Sequence, residues 1–422
     1  MCKTKMRNVY YKLLIDNNVA RNISKLCCKI NILKKCFNKW YPYGIVKSEM
    51  VIVDDVFPSK YSLFRYIEYI EYLNHFENLV IVCTGKSINF IEKRSVEDVV
   101  DEFLAEYPQF KNRIVIDKEE RMIIDADVVY INFYNNLDAF YKRNLNNSPF
   151  IVNLYPGGGL QFFNEKIDRR MKKYLQSPLC CKVITTQMPV KNYLIDNGIC
   201  HQEKIENIFG VVVDSNKLDI NNKKWFGFDK DRFDICFVAY KYMKNGHDKG
   251  YDMFIHVAKK ICSMKDNVFF HVVGNFSSDD MDISDIKDHI TFYGAHNKEW
   301  FDDFYIDKDV IISPNIPFVL SKGAFDGFPT GAVIEAGSHA VAMFATDELN
   351  MNQDYFINNK ELVIIKHDVD DIVNKILYFY ENYNELRNLS TSGMNKIKTI
   401  YSVEYQIKPR IKILEHAIGA KS

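Results

Sequence analysis

Two carboxylates, Asp326 and Glu335, bracket the segment GAFDGFPTGAVIEAG (323–337). Ionised carboxylates only accept hydrogen bonds, which suits them to the hydroxyls of a sugar. The glycines of this segment predict a flexible loop running into a helix that starts near Thr330. A helix start presents unpaired backbone N–H groups, an environment for phosphate or sugar oxygens. The plainer reading is that Asp326 caps the helix region and Glu335 is a solvated helical acid; residue types alone leave both open. A second glycine cluster, Gly157, Gly158 and Gly159 in LYPGGG (154–159), follows an apolar run. These glycines either let backbone approach a ligand closely or form an ordinary tight turn.

Other patterns with chemical potential lack a required part. CTGKS (83–87) follows a strand-like run as a phosphate loop would, but Val80 stands where the first glycine is required. Asp125-Ala-Asp127 has the form of a metal-binding Asp-x-Asp, and so does Asp368-Val-Asp370, in a chain rich in Asp. No Gly-x-Gly-x-x-Gly opens a helix after a first strand, so a dehydrogenase lacks its phosphate turn. The ten histidines are scattered without paired ligand spacing, and no metal is expected.

The elements that must position these residues are legible from hydrophobic periodicity. MVIVDD (50–55) reads as a buried strand, YSLFRYIEYIEYLNHF (61–76) as a helix and NLVIVCTG (78–85) as a strand, a β-α-β unit. Apolar runs follow at 112–116, 127–133, 149–155, 182–186 and 206–213, separated by polar helical stretches. A polar, Asn-rich stretch at 214–232 is the expected linker. A second series of strands then runs at 234–240, 267–274, 289–294, 309–314, 341–346 and 361–366, with a helix at 250–264. Helices at 369–381 and about 403–417 close the chain. The alternation predicts an α/β fold of two Rossmann-like domains with mostly parallel sheets. The expected divisions are a basic helical extension (1–45), a first domain (46–220), a second (221–400) and a final helix (401–422) packing back on the first domain.

Composition agrees with a folded protein that has a sizeable core: 47% of the 422 residues are apolar and 26% charged. The 55 basic and 55 acidic side chains cancel, which removes any overall field toward nucleic acid. The balance is uneven: residues 1–45 hold ten Lys and Arg against one acid, Asp16, a net +9 that leaves −9 for the remainder. Parts of that segment have the basic amphipathic character that suits an anionic membrane surface; the alternative is an added helical layer with solvated lysines. Ten cysteines without Cys-x-x-Cys spacing point to a reducing compartment. No run reaches the length of a membrane span or has the form of a signal peptide, so a cytoplasmic protein is expected.

Asp-Gly-Phe-Pro-Thr followed by a small-residue helix carrying Glu-Ala resembles the Glu-x7-Glu signature of retaining GT-B glycosyltransferases of family 4 (group 1), in its Asp-Gly-Phe-Pro variant. VVYINF, FIVNLYPGG, KVITTQMPVKNYLIDNG, IENIFGVV, DKGYDMFIHVAKKI, VFFHVVG and ITFYG precede it in the family's order. The resemblance covers nearly everything from residue 50 onward. It departs from the pattern in three places. Eight residues separate Asp326 from Glu335 where the family has seven, Ala340 and Ala342 stand where it usually has Gly and Pro, and no His occurs at LYPGGG.

Carried onto this chain, the resemblance implies transfer of a sugar from a nucleoside-diphosphate sugar to a hydroxyl of a glycan or lipid-linked acceptor, in bacterial surface glycan synthesis. Asp326 and Lys249 become the catalytic pair. Glu335 becomes the ligand of the ribose hydroxyls, and Gly327, Phe328, Pro329 and Thr330 line the donor sugar. Lys249, with Lys241 or Lys244, balances the pyrophosphate without a metal or other cofactor; the alternative is three solvated loop lysines. Asp55, Ser62 and Arg65, in the loop after the first strand, fall on the acceptor side with Gly157, Gly158 and Gly159, though capping by Ser62 is an equal reading. Competing functions are a GT-B sugar-nucleotide epimerase and a non-catalytic sugar-nucleotide-binding scaffold.

Overall fold

The computed structural model describes residues 44–213 and 220–420. The basic segment therefore lies almost wholly outside the described residues, and its membrane reading is not addressed by the fold. Thirteen strands form two sheets among these residues. The first contains β1 (Gly44–Asp54), β2 (Leu79–Cys83), β3 (Ile114–Ile116), β4 (Met122–Asn132), β5 (Phe150–Leu154), β6 (Cys180–Thr185) and β7 (Ile205–Asn207), in the order β3-β2-β1-β4-β5-β6-β7. The second contains β8 (Phe233–Val238), β9 (Val268–Val273), β10 (Ile290–Gly294), β11 (Val310–Ser313), β12 (Ala342–Thr346) and β13 (Val363–Ile365), ordered β10-β9-β8-β11-β12-β13. Every strand pairing is parallel. Parallel sheets need both faces covered, which is why their strands read as unbroken Val, Ile and Phe runs rather than alternating ones.

Helices α1 (Leu63–His75), α2 (Lys86–Glu92), α3 (Val96–Glu106), α4 (Tyr134–Tyr141), α5 (Glu165–Leu175) and α6 (Met188–Asp196) belong to the first sheet's crossovers. The second sheet carries α7 (Tyr251–Cys262), α8 (Lys298–Phe304), α9 (Gly331–Ser338), α10 (Val369–Glu381) and α11 (Tyr383–Ile400). The last helix, α12 (Val403–Gly419), returns to the first domain. Its Ile407 and Leu414 are buried in the cluster that holds Tyr69, Tyr72 and Tyr130. Each such side chain contributes about 1.5–3 kcal/mol. Gln406 Nε2 also donates to the Phe209 carbonyl at 2.7 Å.

Three expectations need correction. The first strand starts at Gly44, not 50, because Gly44–Ser48 pair with Met122–Ala126 of β4; the half-exposed start of this strand, with Lys47 and Glu49, hid it from periodicity. The run at 206–213 is strand only over Ile205–Asn207. Beyond it the chain leaves the sheet to pack on Tyr401, whose carbonyl accepts from Val213 N at 2.9 Å. Helix α11 has no counterpart in the sequence reading: its polar face and Gly393 break the apolar period, and Gly393 is there because a Cβ would lie 2.3 Å from the Glu361 carbonyl oxygen.

In each sheet the strand order reverses direction once, between β1 and β4 and between β8 and β11. Loops leaving the carboxyl ends of two such strands diverge and open a crevice, the place where open α/β sheets bind ligands.

Candidate active site

The crevice of the second domain lies between the loop after β8 and the loop after β11. A 3-10 turn over Lys244–Lys249 leads into α7. Gly250, at φ 72°, lets that turn approach β11 so closely that a Cβ here would stand 2.1 Å from the Pro314 carbonyl oxygen. This contact brings together two residues 77 positions apart. Lys249 Nζ donates to both carboxylate oxygens of Asp326 at 2.7 Å. Asn315, two residues past the end of β11, donates from Nδ2 to Asp326 Oδ2 at 2.6 Å. The lysine side chain is 12% exposed and the aspartate 38%, so the pair faces an opening rather than the core.

Asp326 borders a small cavity of about 30 Å³, also lined by Ser313, Asn315, Thr330, Thr346 and Glu348. That volume is enough for one water. Glu335 faces a different space. It lines a cleft of about 750 Å³ between the domains, with Val238–Tyr240, Val273, Gly274 and Ala295–Asn297 on the same side. Pro58, Lys60, Tyr61, Phe64 and Phe103 of the first domain form the facing wall. Thr330 borders the small cavity and Gly331 the large cleft, so the N-terminus of α9 is the boundary between them. The two carboxylates thus stand on either side of a helix start whose orphan N–H groups suit a diphosphate.

The other lysines separate. Lys241 Nζ is held by Asp280 at 2.7 Å. Lys244 is exposed at the start of the 3-10 turn. Only Lys249 of the three is joined to Asp326. Thr330 occupies the N-cap position of α9 without a side-chain cap bond, its hydroxyl lying 3.4 Å from Ser313 Oγ. Asp326 is likewise no cap of α9, which removes the plainer reading for that residue. Gly327 packs near Pro156 and Gln187 of the first domain, and Gln187 Nε2 donates to the Phe328 carbonyl at 3.1 Å. The Gly327–Thr330 loop is therefore held from both sides of the cleft.

On the first domain Asp55, Ser62 and Arg65, expected on the acceptor side, are buried, at 5%, 8% and 9% exposed. Arg65 Nη1 donates to Asp55 at 2.9 Å and to Asp54 at 3.1 Å, and its Nε donates to Ser62 Oγ at 2.8 Å. Asp55 also accepts from Ser87, Asn135 and Asn136 at 2.6–3.0 Å. Burial opposes its ionisation, yet Arg65 and these donors outweigh burial and hold its pKa below the ordinary value. Both Asp55 carboxylate oxygens are thus met by donors from within the chain at the end of β1. Ser62 makes no cap bond either. Gly157, Gly158 and Gly159 have φ of 83°, 53° and 83°; a Cβ on Gly158 would collide with the Phe133 ring, while Gly157 is open. They form a tight turn beside Pro156, the neighbour of Gly327.

The discarded motifs have structural partners. Asp368 caps α10, Asp125 accepts from Asn146, and Lys86 pairs with Glu120. Among the described residues no group of three His, Cys, Asp or Glu could hold a metal, and no helix is long and apolar enough to cross a membrane. Asn315 and Gln187 escaped the sequence reading. Asn315 had one available signal, its place just after the strand that precedes the Asp326 loop.

Residues 221–396 match the model of the family described as glycosyl transferases group 1. The chain is similar to a glycosyltransferase from Rickettsia africae ESF-5, with 15% identity over 88% of this chain and 99% of that one and a TM-score of 0.62. It is similar to Anabaena HepE in complex with UDP and glucose, at 11% identity, 87% and 99% coverage and a TM-score of 0.60. A third likeness is sucrose-phosphate synthase from Thermosynechococcus elongatus, at 11% identity, 89% and 100% coverage and a TM-score of 0.61. No curated protein sequence matches. At these identities the structures establish shared fold. The shared fold is GT-B, and the group 1 match is confined to residues 221–396.

Proposed function

We propose that this enzyme transfers a hexosyl or related residue from a nucleoside-diphosphate sugar to a hydroxyl acceptor, with retention at the anomeric carbon. The observation that supports it most is the arrangement of groups around the start of α9, with Asp326 and Lys249 on one side and Glu335 on the other. In this reading Glu335 accepts from the ribose hydroxyls and the α9 N–H groups meet the diphosphate. Lys249 leaves Asp326 for the diphosphate, and the freed carboxylate takes sugar hydroxyls. The bond from the anomeric carbon to the diphosphate oxygen breaks, and the acceptor oxygen bonds to that carbon from the same face. The acceptor's proton passes to the departing diphosphate, whose charge Lys249 stabilises in a partly closed site. No metal takes part.

HepE was solved with UDP and glucose, which makes UDP-sugars the first donors to test. A thermal-shift screen of UDP-, GDP- and dTDP-sugars, followed by turnover with the stabilising donor, tests the reading. Donor at 100 times Kd adds about 2.7 kcal/mol, roughly 5–11 °C for a domain of this size. A screen in which no nucleotide sugar raises Tm and none is consumed removes the proposal.

The acceptor class is a glycan or lipid-linked glycan, and the product a bacterial surface polysaccharide such as capsule or lipopolysaccharide, made at the cytoplasmic face of the membrane. The net +9 of residues 1–45 supports that location. About 1 kcal/mol per Lys or Arg near an anionic surface suffices for peripheral binding. Full-length protein should float with anionic but not neutral vesicles, and a version starting at Gly44 should not; equal behaviour of the two leaves the segment without this role.

A further inference from the structure

Asn315 is the one side chain other than Lys249 that donates to the Asp326 carboxylate among the described hydrogen bonds. Its amide is itself fixed. Ser313 Oγ donates to Asn315 Oδ1 at 2.7 Å, which leaves Nδ2 to point at Asp326. Thr346 Oγ1 donates to the Asn315 carbonyl at 2.7 Å. The last residue of β11 and the last of β12 therefore both anchor Asn315, and through it the loop carboxylate is tied to the rigid sheet.

We propose that Asn315 is the positioning residue for Asp326, holding that carboxylate in place while Lys249 moves from it to the donor diphosphate. This rests on the proposed glycosyl transfer. Without Asn315, Asp326 has only Lys249 as partner. The lysine must then either stay on the carboxylate and desert the diphosphate, or leave it free to swing out of the sugar site. Interactions that orient a reacting group act on turnover more than on ground-state binding. The loop itself keeps its other anchors, including the Gln187 contact to Phe328.

The test compares wild type with Asn315→Ala, Asn315→Asp and Ser313→Ala, using UDP and the UDP-sugar found by the donor screen. Expected are a fall in kcat of at least about tenfold for Asn315→Ala and a larger one for Asn315→Asp, which faces Asp326 with a second carboxylate. Ser313→Ala, which frees the amide to flip, should fall between wild type and Asn315→Ala. The wild-type preference for UDP-sugar over bare UDP should shrink severalfold in Asn315→Ala, with Tm within a few degrees of wild type. Unchanged kcat and preference in a folded Asn315→Ala would overturn the assignment. Equal weakening of both ligands together with a large drop in Tm would also overturn it, as the mark of a merely structural residue. Absence of turnover in wild type would instead remove the transfer reading itself.

Discussion

Gly250 is the position where backbone geometry and the site are most tightly linked, and Gly250→Ala isolates that link. Two costs add. An alanine at φ 72° occupies the left-handed region, at about 1–2 kcal/mol. Its Cβ would also stand 2.1 Å from the Pro314 oxygen and 2.6 Å from Pro314 Cγ, where Cβ contacts under 3.0 Å essentially never occur. The obstructing oxygen is backbone, so no rotamer change relieves it, and forced shifts of this kind cost about 1–3 kcal/mol. The expected loss is about 2–5 kcal/mol. Gly227→Ala supplies the control: Gly227 has φ 74° but no atom within 4 Å of the added Cβ, so only the conformational cost of about 1–2 kcal/mol applies. Denaturant unfolding of both variants, followed by a probe of the second domain, should place Gly250→Ala about 1–3 kcal/mol below Gly227→Ala. Isothermal titration with UDP should show a severalfold loss for Gly250→Ala alone, because moving the turn off Pro314 carries Lys249 away from Asp326. Equal destabilisation of the two variants would refute the close-approach argument.

Glu335→Ala should weaken nucleoside diphosphate binding at least about tenfold, since hydrogen bonds to a charged acceptor are worth about 1.5–3 kcal/mol each; unchanged affinity in calorimetry would take Glu335 out of the site. Turnover should survive EDTA, and strict dependence on manganese or magnesium restored by re-addition would undo the assignment of Lys249 as the diphosphate cation. Lys223 bears on pH dependence. Its ammonium donates to the carbonyls of Tyr305 and Lys308 at 2.8 and 2.5 Å, and burial draws its pKa from 10.5 down to about 7, with Asp309 opposing. Between those values the unfolded chain binds the extra proton. Stability should therefore rise with pH across that window, by up to about 1.4 kcal/mol per unit. Denaturation at pH 7, 8 and 9 should show that rise weakened in Lys223→Met, and identical slopes would contradict it.

The sequence by itself determined the two α/β domains, because a parallel sheet buried on both faces needs long apolar runs and such runs leave a periodic trace. It also determined the loop-to-helix step at Thr330, where glycines and small residues mark where a helix must begin. Asp326 and Glu335 were legible as types with spacing, and Lys249 through the family resemblance. Tertiary structure decided which of them meet. Lys249 reaches Asp326 because the strand order reverses between β8 and β11 and because Gly250 permits contact with Pro314, neither of which has a local signature. The same holds for the first domain. Asp55, Ser62 and Arg65 lie at or just after the end of β1, where residue types alone would place a ligand, yet four donors from α1, α2 and α4 close around Asp55. Asn315 and Gln187 carry no motif at all, since their roles come from partners on other strands and across the cleft. Side-chain type sets what a residue can donate or accept; only the folded chain sets which partner it finds.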